Sequence, residues 1–326
     1  ILSVSSPSAD SYVSSSTVLS LSAQDPIVNG LAAGLAETHY RVNGGTLTVS
    51  PLSFSLTGAD GGYLLEFQSR DRLANEELLR GRTLHLDKTA PITSLSIQQG
   101  RQMAGEQLGS FYASSDTRLS LITADPSVGG AASGVDLTLL KDNWILLEPA
   151  TAPFSLAEGS HLLEYQSRDR VQNEEILLST TVLIDATAPQ SELAVGAPQA
   201  VISSALGIGP EGLVVVSSAT KLLVNSTDTI SNGVASGMDS IQVRQDSTAF
   251  TAQTAPFGLL GRDGIKTVSF YAQDRVGNTE LEQARQLGLD STAPRTELTA
   301  FGGRQYQDGA RLYVSSSTAY RLIAED

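Results

Sequence analysis

Nine aspartates recur at matching places along the chain and are the residues best placed to do chemistry. They are Asp25, Asp71 and Asp87, then Asp125, Asp169 and Asp185, then Asp228, Asp274 and Asp290. Carboxylates serve two kinds of chemistry. Two of them in unlike environments act as general acid and base, and several converging oxygens hold a hard cation such as calcium. An enzyme builds one acid/base site, whereas the same acids in every copy point to a task each copy performs. Calcium at the boundary between copies is such a task, and its ligands would be drawn from these nine acids. The competing reading makes each Asp a turn-former that accepts backbone N–H groups and pairs with the arginine beside it, as in Asp71-Arg72. No EF-hand loop or glycine-rich nonapeptide array adds to the calcium reading.

Other chemistry finds little material. Asn75, Asn173 and Asn278 each follow an Asp by four residues and suit a tight turn of positive φ or a side-chain cap. His39, His85 and His161 fall at three different places in the repeat, so no matched pair is available for a metal. The one tryptophan, Trp144, follows Asp142-Asn143 beside an expected hairpin turn. It would stack on a sugar ring if exposed, and packing across the hairpin is the expected arrangement. No Gly-x-Ser-x-Gly elbow or Gly-x-x-x-x-Gly-Lys phosphate loop is present, and no Gly-x-Gly-x-x-Gly follows a strand to open a helix. The absence of cysteine excludes disulfides, thiolate chemistry and Cys-ligated metal. With 21 basic against 35 acidic residues the net charge is −14, which argues against nucleic acid or anionic lipid as partner. No apolar run is long enough to span a bilayer as a helix.

The elements that carry these acids are repeated. Gln68-Ser69-Arg70-Asp71-Arg72 returns as Gln166-Ser167-Arg168-Asp169-Arg170 and, more loosely, as Ala272-Gln273-Asp274-Arg275. Downstream come Asp87-Lys88-Thr89-Ala90-Pro91, Asp185-Ala186-Thr187-Ala188-Pro189 and Asp290-Ser291-Thr292-Ala293-Pro294. Asp71 to Pro91, Asp169 to Pro189 and Asp274 to Pro294 are each 20 residues apart, while the period is 98 and then 105 residues. Asp25, Asp125 and Asp228 are followed nine residues on by Gly34, Gly134 and Gly237. Tyr313 to Thr318 and Ala324 to Asp326 match Tyr12 to Thr17 and Ala23 to Asp25, so a fourth copy starts near Thr292. Within a copy the apolar period is two: Tyr63, Leu65 and Phe67 share one face, and Glu66 and Gln68 the other. Asn43-Gly44-Gly45 and Asp142-Asn143 read as hairpin turns. Leu73 to Leu79 has helix-forming composition, but Val276-Gly277-Asn278-Thr279 in the same place favours a turn running into a strand.

The pattern Ser236-Gly237-Met238, Pro256-Phe257-Gly258-Leu259, Tyr271 through Asn278 and Asp290 through Pro294 resembles bacterial immunoglobulin-like tandem repeats. The resemblance covers essentially the whole chain. It departs where Ala74 and Gln172 stand in place of the glycine before the asparagine. It implies tandem antiparallel β-sandwiches in a large secreted or outer-membrane-associated protein, and it implies little about specific function.

The expected organisation is all-β: Ig-like repeats over 1–88, 89–186 and 187–291, and a truncated start of a fourth over 292–326, arranged as an elongated, semi-rigid rod. The opening Ile1-Leu2-Ser3-Val4, which carries no initiator Met, reads as a piece of something longer. The expected function is a non-enzymatic stalk or adhesion segment, extracellular or at the cell surface. Its partners are neighbouring repeats and a cell-surface protein or glycan, with no cofactor other than calcium. Two alternatives are modules appended to a secreted hydrolase and a glycan-binding module.

Overall fold

The computed structural model describes residues 11–148, 150–202 and 212–325, and Ile1 to Asp10 and Asp326 lie outside them. The regular elements are all strands. The chain divides into two compact units, Ile1–Ala186 with Ser231–Val234, and Thr187–Ile230 with Ala235–Asp326.

The first unit holds two sequence repeats, each with its own core. A five-stranded sheet runs Ser11–Val13, Arg80–Leu86, Gly61–Asp71, Leu35–Val42, Thr48–Val49. Val13, Leu56, Leu65, Leu84 and Leu86 are buried behind it. The next repeat orders Ile145–Leu146, Val135–Asp142, Gly159–Asp169, Leu178–Asp185, Ser110–Ser114, Gln102–Ala104 in one sheet, and pairs Ile92–Gln99 with Arg118–Ala124 in another. Leu119 and Leu121 from the small sheet pack with Leu140, Leu163, Tyr165, Val182 and Ile184 from the large one, which makes a sandwich. Burying a leucine such as Leu163, 0% exposed, contributes about 2 kcal/mol.

The second unit repeats the sandwich. Gln199–Ile202, Leu213–Val216, Gln283–Leu289, Gly264–Asp274, Met238–Gln245 and Thr251–Ala252 form one sheet, and Gln190–Val195 with Leu222–Thr227 the other. Leu193, Leu222, Val224, Val268, Phe270 and Leu287 fill the space between. Beyond these lie two hairpin-like pairs, Arg295–Phe301 with Ala319–Glu325 and Gln305–Asp308 with Arg311–Val314. No described residue after Asp290 is fully buried.

Two local features differ from the sequence expectation. The sheets are not purely antiparallel: Ser11–Val13, Ser110–Ser114 and Leu213–Val216 each run parallel to the last strand of their repeat. In the two complete sandwiches the chain leaves the small sheet after Ile92–Gln99 or Gln190–Val195. It then enters the large one through the edge strand Gln102–Ala104 or Gln199–Ile202, antiparallel to the next strand, and that next strand runs in the direction of the closing one. The turn after Asp71, Asp169 and Asp274 is helix-free as expected, but its positive φ falls on Ala74 (65°), Gln172 (73°) and Gly277 (97°), not on the asparagines. A side chain at positive φ costs about 1 kcal/mol that glycine avoids. Gln172→Gly should therefore stabilise the fold by about 0.5–1 kcal/mol in chemical denaturation, net of the looser unfolded chain. A destabilised variant would refute this account of the turn.

Candidate functional site

The acids reach their places through the strands that end on them. Along Gly159–Asp169 burial alternates, so Leu163, Tyr165, Ser167 and Asp169 share the inward face. Asp169 then closes an Asx-turn. Its Oδ1 accepts from the N–H of Val171 at 2.9 Å and of Asn173 at 2.8 Å, and its Oδ2 from Asn173 Nδ2 at 2.6 Å. Asp125 follows Arg118–Ala124, and its Oδ2 accepts from Gly134 N–H at 2.6 Å. Gly134 holds φ +84° with Arg170 Nη1 3.2 Å from where a Cβ would stand. Asp87 follows Arg80–Leu86, and its N–H donates to the Val13 carbonyl at 2.9 Å.

Asp87 belongs to the preceding repeat in sequence, yet its carboxylate points at the following one. Its Oδ2 accepts from Ser133 N–H at 2.7 Å, and its carbonyl from Asn173 Nδ2 at 3.0 Å. Ligand oxygens of Asp87, Asp125 and Asp169 lie within 4.8 Å of one another, with Asp87 and Asp169 fully buried. Close by, Gly129 meets the preceding repeat so tightly that a Cβ would stand 2.1 Å from the Asp60 carbonyl oxygen.

The electrostatics of this cluster are unbalanced. Burial above all pushes the Asp125 carboxyl pKa up; the Gly134 N–H opposes this, and the negative charges of Asp87 and Asp169 add to it. Asp125 Oδ1 and Ser133 Oγ are buried without a hydrogen-bond partner. Arg170 Nη1 donates to the Ser133 carbonyl at 3.3 Å, and it pairs with none of the three acids among the described residues. Three close carboxylates in a sheltered place need a positive charge between them or a shared proton. The donor set is all oxygen, which suits a hard cation such as calcium.

The sequence grouped the acids by repeat, as Asp25 with Asp71 and Asp87, and the geometry regroups them across the boundary. The linker acid leaves its own sheet at the end of the last strand and lies under the next repeat's turn. Asp25 Oδ2 accepts from Gly34 N–H at 2.7 Å. Asp71 accepts from Leu73 and Asn75, which holds its carboxyl below the usual range, the Asn75 side chain foremost. Neither joins a cluster of three metal-ligating side chains among the described residues. Arg72 does not pair with Asp71; its guanidinium lies against Gly34. In the second unit Asp228 accepts from Gly237 N–H at 2.6 Å, and Asp274 from Gly277 and Asn278. Asp290 Oδ1 accepts from Thr292 N–H at 3.1 Å. Asp185, at the end of Leu178–Asp185, is fully buried. The asparagines therefore act as side-chain caps.

The histidines stay apart: Nδ1 of His161 lies 2.7 Å from Asp142, His39 lies beside Glu37, and His85 stacks on Tyr12. Trp144 does not pack across its hairpin but is 74% exposed. The last cross-strand pair is Asp142 with Ile145, so both tip residues project beyond any facing neighbour.

Sequence reasoning missed Glu175. Its carboxylate accepts from Thr93 N–H at 2.9 Å, Ser167 N–H at 2.6 Å and the Thr93 hydroxyl, fastening the post-linker strand to the large sheet. Glu280 does the same for Ser191 and Ala272. A signal was present, since Glu77, Glu175 and Glu280 all stand two residues past the repeated asparagine.

No protein-family model matches the chain, and no curated protein matches it. Among solved structures it is similar to fibronectin(III)-like modules of Clostridium thermocellum CbhA, at 12% identity over 56% of this chain and 93% of that one, TM-score 0.31. It is similar to a tetra-tandem repeat in the extending region of a large adhesion protein, at 19% identity over 89% and 76%, TM-score 0.25. A Bacteroides ovatus protein, SGBP-B of a mixed-linkage glucan utilization locus, solved with a mixed-linkage heptasaccharide, aligns at 12% identity over 94% and 72%, TM-score 0.18. At these values the likenesses assign no role to any residue.

Proposed function

We propose that this chain is a non-enzymatic structural segment of a surface or secreted protein, a stalk of Ig-like modules in which a divalent cation, calcium by its chemistry, stiffens a module boundary. The observation that carries the reading is the meeting of Asp87 from one repeat with Asp125 and Asp169 from the next, within 4.8 Å. A catalytic carboxylate pair needs access to substrate, whereas Asp87 and Asp169 are 0% exposed. An ion at that point ties the linker to the following turn through charge, where the hydrogen bonds of Ser133 and Asn173 already hold it through geometry. Extracellular calcium modules bind in the range of about 10⁻⁴–10⁻³ M, which suits a partly formed ligand shell completed by water.

Small-angle scattering of the full chain tests this. Calcium should narrow the distribution of intramolecular distances and lengthen the largest one relative to the chelated protein. Superimposable curves in both conditions would remove the cation from the reading.

A further inference from the structure

Trp144 stands where the fold asks for glycine. The hairpin closes on Asp142 and Ile145, with Asn143 at φ 47° and Trp144 at φ 68°. The matching turn of the first repeat has Asn43 at φ 49° and Gly44 at φ 72°. The asparagine does the same job in both: Asn43 Oδ1 accepts from Leu64 N–H at 2.8 Å and Asn143 Oδ1 from Leu162 N–H at 3.0 Å. A two-residue turn with positive φ at both tip positions is the Asn-Gly turn, and an aromatic residue there works against the backbone. No described ring stacks on the indole, and Ile145 beside it is 69% exposed. Folding does not account for Trp144. Strain without a packing return is a pointer to function.

At the base of the hairpin lies a cleft of about 340 Å³ lined by Leu140, Asp142, Leu147, Glu148, Phe154 and His161. Leu140, Leu147 and Phe154 make its lining partly apolar, Glu148 offers an exposed carboxylate, and Asp142 Oδ2 is paired with His161 Nδ1. Three kinds of occupant fit poorly. The edge strand Ile145–Leu146 is two residues long, too short to template an added strand. A stable protein interface needs about 800 Å² per partner, more than three adjacent apolar residues supply. An anion meets Asp142 and Glu148 on a chain of net charge −14. A small neutral ligand with one apolar face and hydroxyl donors fits.

We infer that Trp144 and the cleft at the base of its hairpin form a saccharide-binding site, in which a neutral hexose ring stacks on the indole and hydroxyls of the bound saccharide donate to carboxylates of the cleft. The site is peculiar to this repeat, because Trp144 is the only tryptophan in the chain. It is independent of the junction acids.

That uniqueness makes the test direct. The full chain is titrated with cellohexaose, xylohexaose, mannohexaose and maltohexaose while tryptophan emission is followed, and calorimetry is run in parallel. At least one sugar should give a saturable blue shift. Trp144→Gly restores the Asn-Gly turn, so it should melt at the same or a higher temperature while calorimetric affinity falls at least about tenfold. No saturable response to any of the four sugars would overturn the proposal, as would equal affinity in the variant. Trp144-dependent self-association without sugar would also overturn it, assigning the patch to a protein contact.

Discussion

Calcium should raise the melting temperature of this chain, and Asp125→Asn should change sign with it: stabilising in chelator, destabilising in calcium. At a concentration one hundred times the dissociation constant, binding to the native state adds about 2.7 kcal/mol, worth roughly 2–4 °C per kcal/mol in a unit of this size. The variant separates an ion site from a set of turn-formers. Without an ion, Asp125 is half-buried beside the buried Asp87 and Asp169, and its carboxyl pKa is raised. Between its ordinary and folded pKa the native state holds more protons than the unfolded one, so stability falls as pH rises through that window. The chelated chain should accordingly gain from mild acid, and calcium should help most above the window, where no proton competes for Asp125. Amidation removes the charge and keeps an oxygen for Gly134 N–H, which is why the chelated variant should melt at or above the parent. Equal melting temperatures of the parent in calcium and chelator would make these acids turn-formers only.

Glu175→Ala should cost roughly 2–4 kcal/mol, the largest loss expected from any single change outside the cores. It strips the acceptor from two backbone N–H groups, on Thr93 and Ser167, and both residues are buried, at 4% and 1% exposure. A buried donor left without a partner costs about 1–3 kcal/mol. Glu175→Gln, with one acceptor oxygen in place of two, should fall between. Urea denaturation gives the size of the loss, and amide exchange gives its place: Thr93 and Ser167 should lose protection before Leu163. Unchanged exchange at Thr93 would show that the small sheet is held by apolar packing alone.

Much of this protein could be read without coordinates. Period-two runs such as Tyr63-Leu64-Leu65-Glu66-Phe67 became strands because a side chain must alternate across a pleat whatever its neighbours are. Gly277 and Thr279 argued against a helix over Leu73 to Leu79, and the turn is there. Trp144 was read wrongly, because hairpin proximity says nothing about whether a facing residue exists. The parallel pairing of Ser110–Ser114 was invisible for a related reason, since strand direction in a sheet depends on where the chain crosses between layers.

The features legible along the chain are local and repeated: the all-β elements, the turns and the recurrence of nine acids at matching places. Which acids meet depends on the packing of one repeat against the next. Repetition ties Asp87 to Asp71 and Asp25 along the chain, but the carboxylate sits at the end of the last strand, where the following repeat's turn, Ser133 and Asn173 enclose it. Spacing in sequence orders residues along one dimension. The grouping of Asp87 with Asp125 and Asp169 depends on how a linker lies between two sheets, and that is set by the packing of Gly129 on Asp60 and the clasp of Glu175 on Thr93, contacts between positions far apart in the chain.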